Sequence, residues 1–274
     1  MPDTVLPVLY ALFLWWFSTG VVFYLDGLPR HTFPWSMTAA TVVLVAALGG
    51  LAAAADDVTV GGAYLSFSCG LLAWVWVEAS YYLGYLTGPR KHHCEEGCSG
   101  WRHFGHALQT SFYHEAAIVV VAATLFALTA GAPNRLGFWT FVVLLCMHES
   151  ARLNVFLGVR NLNEQLLPGH LGYLSSFLKR RPMNLLFPFS VTAATLVTAW
   201  LIGEAASATS AYGAVSATFL AALMAVAVLE HWFLVLPLDV SALWRWSLGS
   251  RAEAAAQQEK QPDDGPASVF AGRV

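Results

Sequence analysis

The chain has 274 residues, of which 57% are hydrophobic and 11% charged, with a formal net charge of −3 and a mean hydropathy of +0.57. Soluble domains carry about 25% charged residues, so this composition excludes an ordinary globular domain and reads as an integral membrane protein. The slightly acidic balance, with basic residues confined to the edges of apolar runs, leaves no electrostatic footprint for nucleic acid.

Crossing about 30 Å of hydrocarbon takes about 20 apolar residues in a helix. Such runs fall at Thr4–Leu25, Trp35–Ala55, Gly62–Thr87, His106–Gly131, Leu136–Leu157, Leu185–Ala206 and Tyr212–Pro237. They predict an all-α, polytopic integral membrane protein whose seven transmembrane helices occupy residues 1–249. The first run has no basic leader and no small-residue cleavage site before Asp26, so it reads as a retained helix and not as a signal peptide. In the second, Ala46, Ala47, Gly49, Gly50 and the alanines at 52–55 form a smooth surface for close helix packing. Trp and Tyr near the span ends, as at Trp15–Trp16, Trp35, Trp101, Trp139 and Trp244–Trp246, suit interfacial anchoring.

The segment 158–184 alternates apolar residues (Leu162, Leu166, Leu171, Phe177) with polar ones (Arg160, Glu164, His170, Lys179). That pattern predicts a helix, or a helix pair broken near Pro168, lying on the cytoplasmic surface of the membrane. Residues 250–274 are rich in Gln, Glu, Asp and Pro and are expected to form a disordered tail. Twelve basic residues, among them Arg30, Arg90, Lys91, Arg102, Arg160, Lys179, Arg180, Arg181 and Arg245, fall on one side of the spans, and Arg135 alone falls on the other. The positive-inside rule then predicts an outside N-terminus and a cytoplasmic C-terminus.

Ionisable side chains inside a bilayer are costly, and each is a functional-site hypothesis. Glu78, His114, Glu115, His148, Glu149, Glu230 and His231, with Arg152 one turn after His148–Glu149, lie within the spans. Counted from the predicted boundaries at 1.5 Å per residue, they share a layer about 12–14 Å below the cytoplasmic edge. Glutamates and histidines converging from facing helices are the donor set of bundle metal sites and suit iron, zinc or manganese. The spacing differs from the known di-iron pattern, because neighbours such as His114 and Glu115 point about 100° apart around a helix. Three readings stay open: a transition-metal site, a structural or proton-relay network that includes a Glu149–Arg152 pair at i, i+3, and chlorophyll-type ligation by a histidine. In the loop after the third span, Cys94, Cys98, His103 and His106 provide the donors of a tetrahedral zinc site at a spacing shorter than the usual finger. No phosphate-binding glycine loop, nucleophile elbow or zincin helix is present in the sequence.

The stretches ALFLWWFSTGVVFYLDGLPR (Ala11–Arg30), YLTGPR (Tyr85–Arg90), FLGVRNLNEQLLPGHLGYLSSFLKRRPMNLLFP (Phe156–Pro188) and LEHWFLVLP (Leu229–Pro237) resemble the photosynthetic complex assembly protein 2 family, also called PuhE. The resemblance runs to about Trp246. It implies a bacterial inner-membrane protein that assists assembly of the photosynthetic reaction centre and bacteriochlorophyll supply. The implied partners are reaction-centre subunits or pigment-synthesis proteins, together with membrane lipid. Glu78, His114, Glu115, Asn154, Arg160, Asn161, Glu230 and His231 fall within family-like segments, without any reaction assigned to them. The alternative class is a membrane-embedded, di-iron-like oxidoreductase acting on a pigment or quinone.

Overall fold

Backbone N–H and C=O groups find no partner in hydrocarbon, so a chain this apolar must satisfy them within helices. The computed structural model describes residues 2–251. Among the described residues the regular structure is helical, save for one isolated bridge between Val159 and Arg180. In chain order the α-helices are α1 (Pro2–Asp26), α2 (Phe33–Ala54), α3 (Val60–Tyr82), α4 (Gly100–Gln109), α5 (Phe112–Thr129), α6 (Leu136–Leu157), α7 (Leu186–Ser207) and α8 (Ala211–Phe233). Short 3-10 segments occupy Arg30–Thr32, Glu164–Leu166, Gly169–Phe177 and Val240–Trp244. Seven of these helices, all but α4, are long and apolar enough to cross a membrane, and the protein is multi-pass.

Helices α3 and α8 are about half buried and form the centre, while the others bury narrower strips. α3 packs on α1, α2, α5, α6 and α8, and α7 lies along α8. Exposed Leu6, Phe13, Val42, Val45, Val119, Phe189 and Trp200 give the outer helices an apolar perimeter suited to lipid. The loops carrying Arg30, Arg90, Lys91, Arg160 and Lys179 to Arg181 gather at one end of the bundle, here called the basic end.

Three predicted span boundaries move. The run expected at His106–Gly131 divides into α4 and α5, because the chain breaks at Thr110–Ser111. The cause is distant in sequence: the Thr87 carbonyl accepts the backbone N–H groups of Tyr113 (2.9 Å) and His114 (3.1 Å), capping α5 where no side chain of its own does so. Gly88 allows this approach, since a Cβ there would fall on the backbone of Gln109 to Ser111. α3 ends at Tyr82 instead of Thr87, followed by Gly84 at φ +82°, a left-handed conformation that favours glycine. α8 ends at Phe233, not Pro237. Glu78, His114 and Glu230 therefore lie within about one turn of their helix ends, shallower than 12–14 Å along the helix, and irregular chain covers them.

Part of that cover is the segment after α6, two 3-10 pieces flanking Pro168 in place of an α-helix pair. Leu171, Tyr173 and Phe177 turn inward and are buried. Three asparagines fasten the helix ends. Asn184 donates to the carbonyls of Asn154 (3.0 Å) and Gly158 (3.1 Å) while accepting from the N–H groups of Leu186 and Phe187. Asn161 donates to the Phe233 carbonyl (2.8 Å). At the opposite end Asn134, fully buried, donates to the carbonyls of Ala54, Asp57 and Gly62 and accepts from Tyr212 Oη. Trp244, expected at the interface, is buried against Trp15 and Phe23, its indole N–H donating to the Trp16 carbonyl at 3.0 Å. Arg251 forks onto the Asp26 carboxylate at 2.7 and 2.8 Å and reaches the carbonyls of Gln165 and Leu166. The remainder of the predicted tail, 252–274, lies outside the described residues.

α3 and α6 meet at glycines: a Cβ on Gly70 would fall on the Gly137 carbonyl, and one on Gly137 on the Ser66 carbonyl. Neither backbone can yield. Gly70→Ala and Gly137→Ala should each lower stability by about 1–3 kcal/mol through overpacking, measured by thermal unfolding in detergent. Gly49→Ala, whose added Cβ meets nothing within 4 Å, should leave the midpoint equal or higher.

Candidate functional site

All eight ionisable residues singled out within the spans line one cavity of about 490 Å³ near the basic end. The volume lies in the range of about 300–1,000 Å³ typical of small-molecule sites. Apolar and aromatic side chains form most of the wall, Trp15, Trp74, Tyr81, Tyr82, Phe104 and Trp244 among them. Helices α1, α3, α5, α6 and α8 supply the sides, and α4 with the 3-10 segments closes the basic end.

Within the cavity the polar layer divides into three groups. In the first, Glu78, His114 and His148 place one donor atom each within 4.8 Å of one another, with His148 Nδ1 3.3 Å from Glu78 Oε1. Neither ring nitrogen of His114, a residue 1% exposed, has a hydrogen-bond partner among the described residues, and neither does His148 Nε2. A buried imidazole with both nitrogens unmatched is costly in an apolar bundle unless something else binds it. Tyr81 packs on the His114 ring at 4.6 Å and Trp74 meets the His148 ring edge-on at 5.2 Å, which fixes both ring planes.

The second group centres on Arg152. Its guanidinium pairs with Glu115, with Glu149 at 3.2 Å as the i, i+3 spacing predicts, and with Ser111 Oγ at 2.7 Å. Two carboxylates expected among the metal donors are thereby held by an arginine. In the third group His231 donates through Nδ1 to the Ala227 carbonyl at 2.9 Å, which leaves Nε2 to accept from Ser150 Oγ at 2.9 Å. The Glu230 side chain lines the cavity but makes no hydrogen bond to the other described residues. The full set of seven expected donors thus does not converge on one point. Ser111, Ser150, Trp74 and Tyr81 shape the site without having been singled out; Trp74 and Tyr81, four residues before and three after Glu78 on α3, carried a positional hint in that shared helix face.

The loop cysteines and histidines also meet. Cys94, Cys98 and His106 place their donor atoms within 4.8 Å of one another, and His103 Nδ1 lies 3.2 Å from Cys94 Sγ. Partial burial, with Arg90 nearby, holds the His106 imidazole below the usual histidine pKa. α4 connects the two clusters, since His103 and His106 face the cysteines while Phe104, Ala107 and Leu108 face the cavity.

Removing the cation of the second group strands two carboxylates. Arg152→Ala should cost about 2–4 kcal/mol, and the triple change Glu115→Gln/Glu149→Gln/Arg152→Met should recover most of that loss. Thermal unfolding of the detergent-purified variants reads both; equal midpoints for Arg152→Ala and the native chain would rule out a structural role for the pair.

A family model described as protein of unknown function (DUF3623) matches residues 1–255. An uncharacterised 30.4 kDa protein in the puhA 5' region of Rhodobacter capsulatus is 34% identical over 266 residues, covering 95% of this chain and 96% of the relative. No solved structure matches. With the family model spanning nearly the whole chain and the relative aligned almost from end to end, this multi-pass membrane protein belongs to the DUF3623 family.

Proposed function

We propose that the protein assists assembly of the bacterial photosynthetic reaction centre and its supply of bacteriochlorophyll, with the cavity at the basic end as the place where a membrane-soluble ligand is received. The observation that carries this reading is a ligand-sized, aromatic-walled cavity with an unpartnered histidine, His114, in a chain whose relative lies in the puhA 5' region. A large apolar ligand gains from burial against Trp15, Trp74 and Tyr82, and a buried neutral imidazole suits a pigment metal or a polar substituent. The protein sits in the bacterial inner membrane with its N-terminus outside and the basic end in the cytoplasm, in accord with the basic loops. Its partners are reaction-centre subunits or pigment-synthesis proteins, and the basic residues at 179–181 meet anionic lipid, each contributing about 1 kcal/mol.

A second reading rests on the same three donors. Glu78, His114 and His148 form a carboxylate and imidazole set that fits iron or another transition metal, as a membrane-embedded oxidoreductase acting on a pigment or quinone requires. The set suffices for one ion. Of the further carboxylates that line the cavity, Glu115 and Glu149 are engaged by Arg152, which leaves Glu230.

The two readings separate in a His114→Ala/His148→Ala strain. Assembly predicts that pigment synthesis continues while reaction centres fail to accumulate, measured by absorption spectra of whole membranes and pigment extracts. Loss of one pigment-pathway conversion, with its precursor building up, favours the oxidoreductase. Normal reaction centres and normal pigment would remove the cavity from both. Elemental mass spectrometry on the purified protein adds a direct measure: the oxidoreductase reading expects iron, or another transition metal, that the double substitution abolishes.

A further inference from the structure

Cys94, Cys98, His103 and His106 lie outside the cavity and take no part in either reading of it. The loop from Lys91 to Ser99 is held at several points. Arg90 Nη2 donates to the His93 carbonyl at 3.2 Å, and the Cys94 N–H donates to Ser176 Oγ at 2.9 Å. The Cys98 N–H returns to the Glu95 carbonyl at 3.2 Å, closing a turn in which Gly97 takes φ +74°. That turn brings the two thiols to the same side. His103 and His106, at i and i+3, project from one face of α4 toward them.

We infer that Cys94, Cys98, His103 and His106 bind a zinc ion that fastens α4 over the mouth of the cavity. Tetrahedral zinc, with Zn–S of about 2.3 Å and Zn–N of about 2.0–2.1 Å, separates a sulfur from a nitrogen ligand by about 3.5–3.6 Å. Three of the four Sγ to Nδ1 pairs, at 3.2 Å for Cys94 and His103, 3.4 Å for Cys98 and His106, and 3.9 Å for Cys94 and His106, bracket that value. Cys94, Cys98 and His106 are mutually within reach; His103 stands outside that trio, with its Nδ1 3.2 Å from Cys94 Sγ, and completes the four ligands by closing from the Cys94 side. On binding, the two thiols release their protons to solvent, so two thiolates and two neutral imidazoles around Zn²⁺ leave no net charge at the membrane edge.

The position of the cluster gives it a consequence. The His103 ring stacks on Phe156 of α6 at 5.6 Å, and the next residue, Phe104, lines the cavity. A four-residue protein ligand set closes the coordination sphere, so the ion is structural and exposes no open position for a substrate. Its effect is to fix the short helix that covers the cavity.

The test uses the full-length protein in detergent, prepared without chelator, and elemental mass spectrometry. One zinc per chain is expected in the native protein and in His114→Ala/His148→Ala, falling to below about a tenth in Cys94→Ser/Cys98→Ser. Should the cysteine variant fail to fold, the native protein stripped with chelator and refilled with Co²⁺ gives an independent readout. Thiolate-to-cobalt charge-transfer and tetrahedral ligand-field bands are expected, with Cys94 and Cys98 protected from alkylation and Cys146 labelled as before. Native protein with substoichiometric zinc and no thiolate–cobalt band, or a Cys94–Cys98 disulfide found by peptide mass spectrometry, would overturn the site.

Discussion

A guanidinium placed among apolar helices needs anionic partners, and the basic end of this bundle is arranged around the one at Arg152. It reaches Glu115 on α5, Glu149 on its own helix and Ser111 at the α4–α5 break. Desolvating charges in a low-dielectric interior is expensive, so one cation shared by two carboxylates constrains where both helices can sit and how they are turned. His114 and His148 each precede one of those carboxylates, and adjacent residues point about 100° apart around a helix. The Arg152–Glu115 pair, which crosses from α6 to α5, therefore sets how the two helices are turned, and with them the two imidazoles that meet near Glu78. The ion-pair group and the donor trio are two results of one rotational setting.

The packing of α3 against α6 supports that setting. Toward the end opposite the basic one the two helices meet backbone to backbone at Gly70 and Gly137, with the Gly137 N–H donating to Ser66 Oγ at 2.9 Å. Toward the basic end the same helices carry Trp74, Glu78 and His148, long side chains that line a cavity instead of closing it. Small residues thus draw the pair together at one level and large ones hold space at another. Backbone contact is rigid, and it transmits a fixed position to the polar groups farther along.

The cover over the cavity is made by irregular chain, which requires its own polar partners. Thr87 caps α5 with a main-chain carbonyl, Asn184 joins the end of α6 to the start of α7, and Asn161 donates to the last carbonyl of α8. These residues belong to the stretches Tyr85–Arg90 and Phe156–Pro188, whose unusual composition follows from the geometry they satisfy. Gly88 and Gly84 occur where the chain passes too close to a neighbour, or turns too sharply, for a side chain. A zinc ion at Cys94, Cys98, His103 and His106 would add a covalent-strength tie to the same cover.

Seven helices of about 20 residues were legible from hydropathy alone, because lipid leaves the backbone no other way to pair its polar groups. The Glu149–Arg152 contact was legible too, since i, i+3 neighbours on a helix meet whatever surrounds them. The break before α5 was not, as the apolar pattern runs through Thr110 and Ser111 and the capping carbonyl comes from Thr87, outside the helix. Nor was the division of Glu78, His114, Glu115, His148, Glu149, Glu230 and His231 into three groups. The amino-acid sequence by itself determined that charged groups would lie inside the bundle near one end, a matter of composition and position along each helix. Which of them meet depends on the rotation and separation of helices packed from distant parts of the chain, and only the tertiary structure decides that.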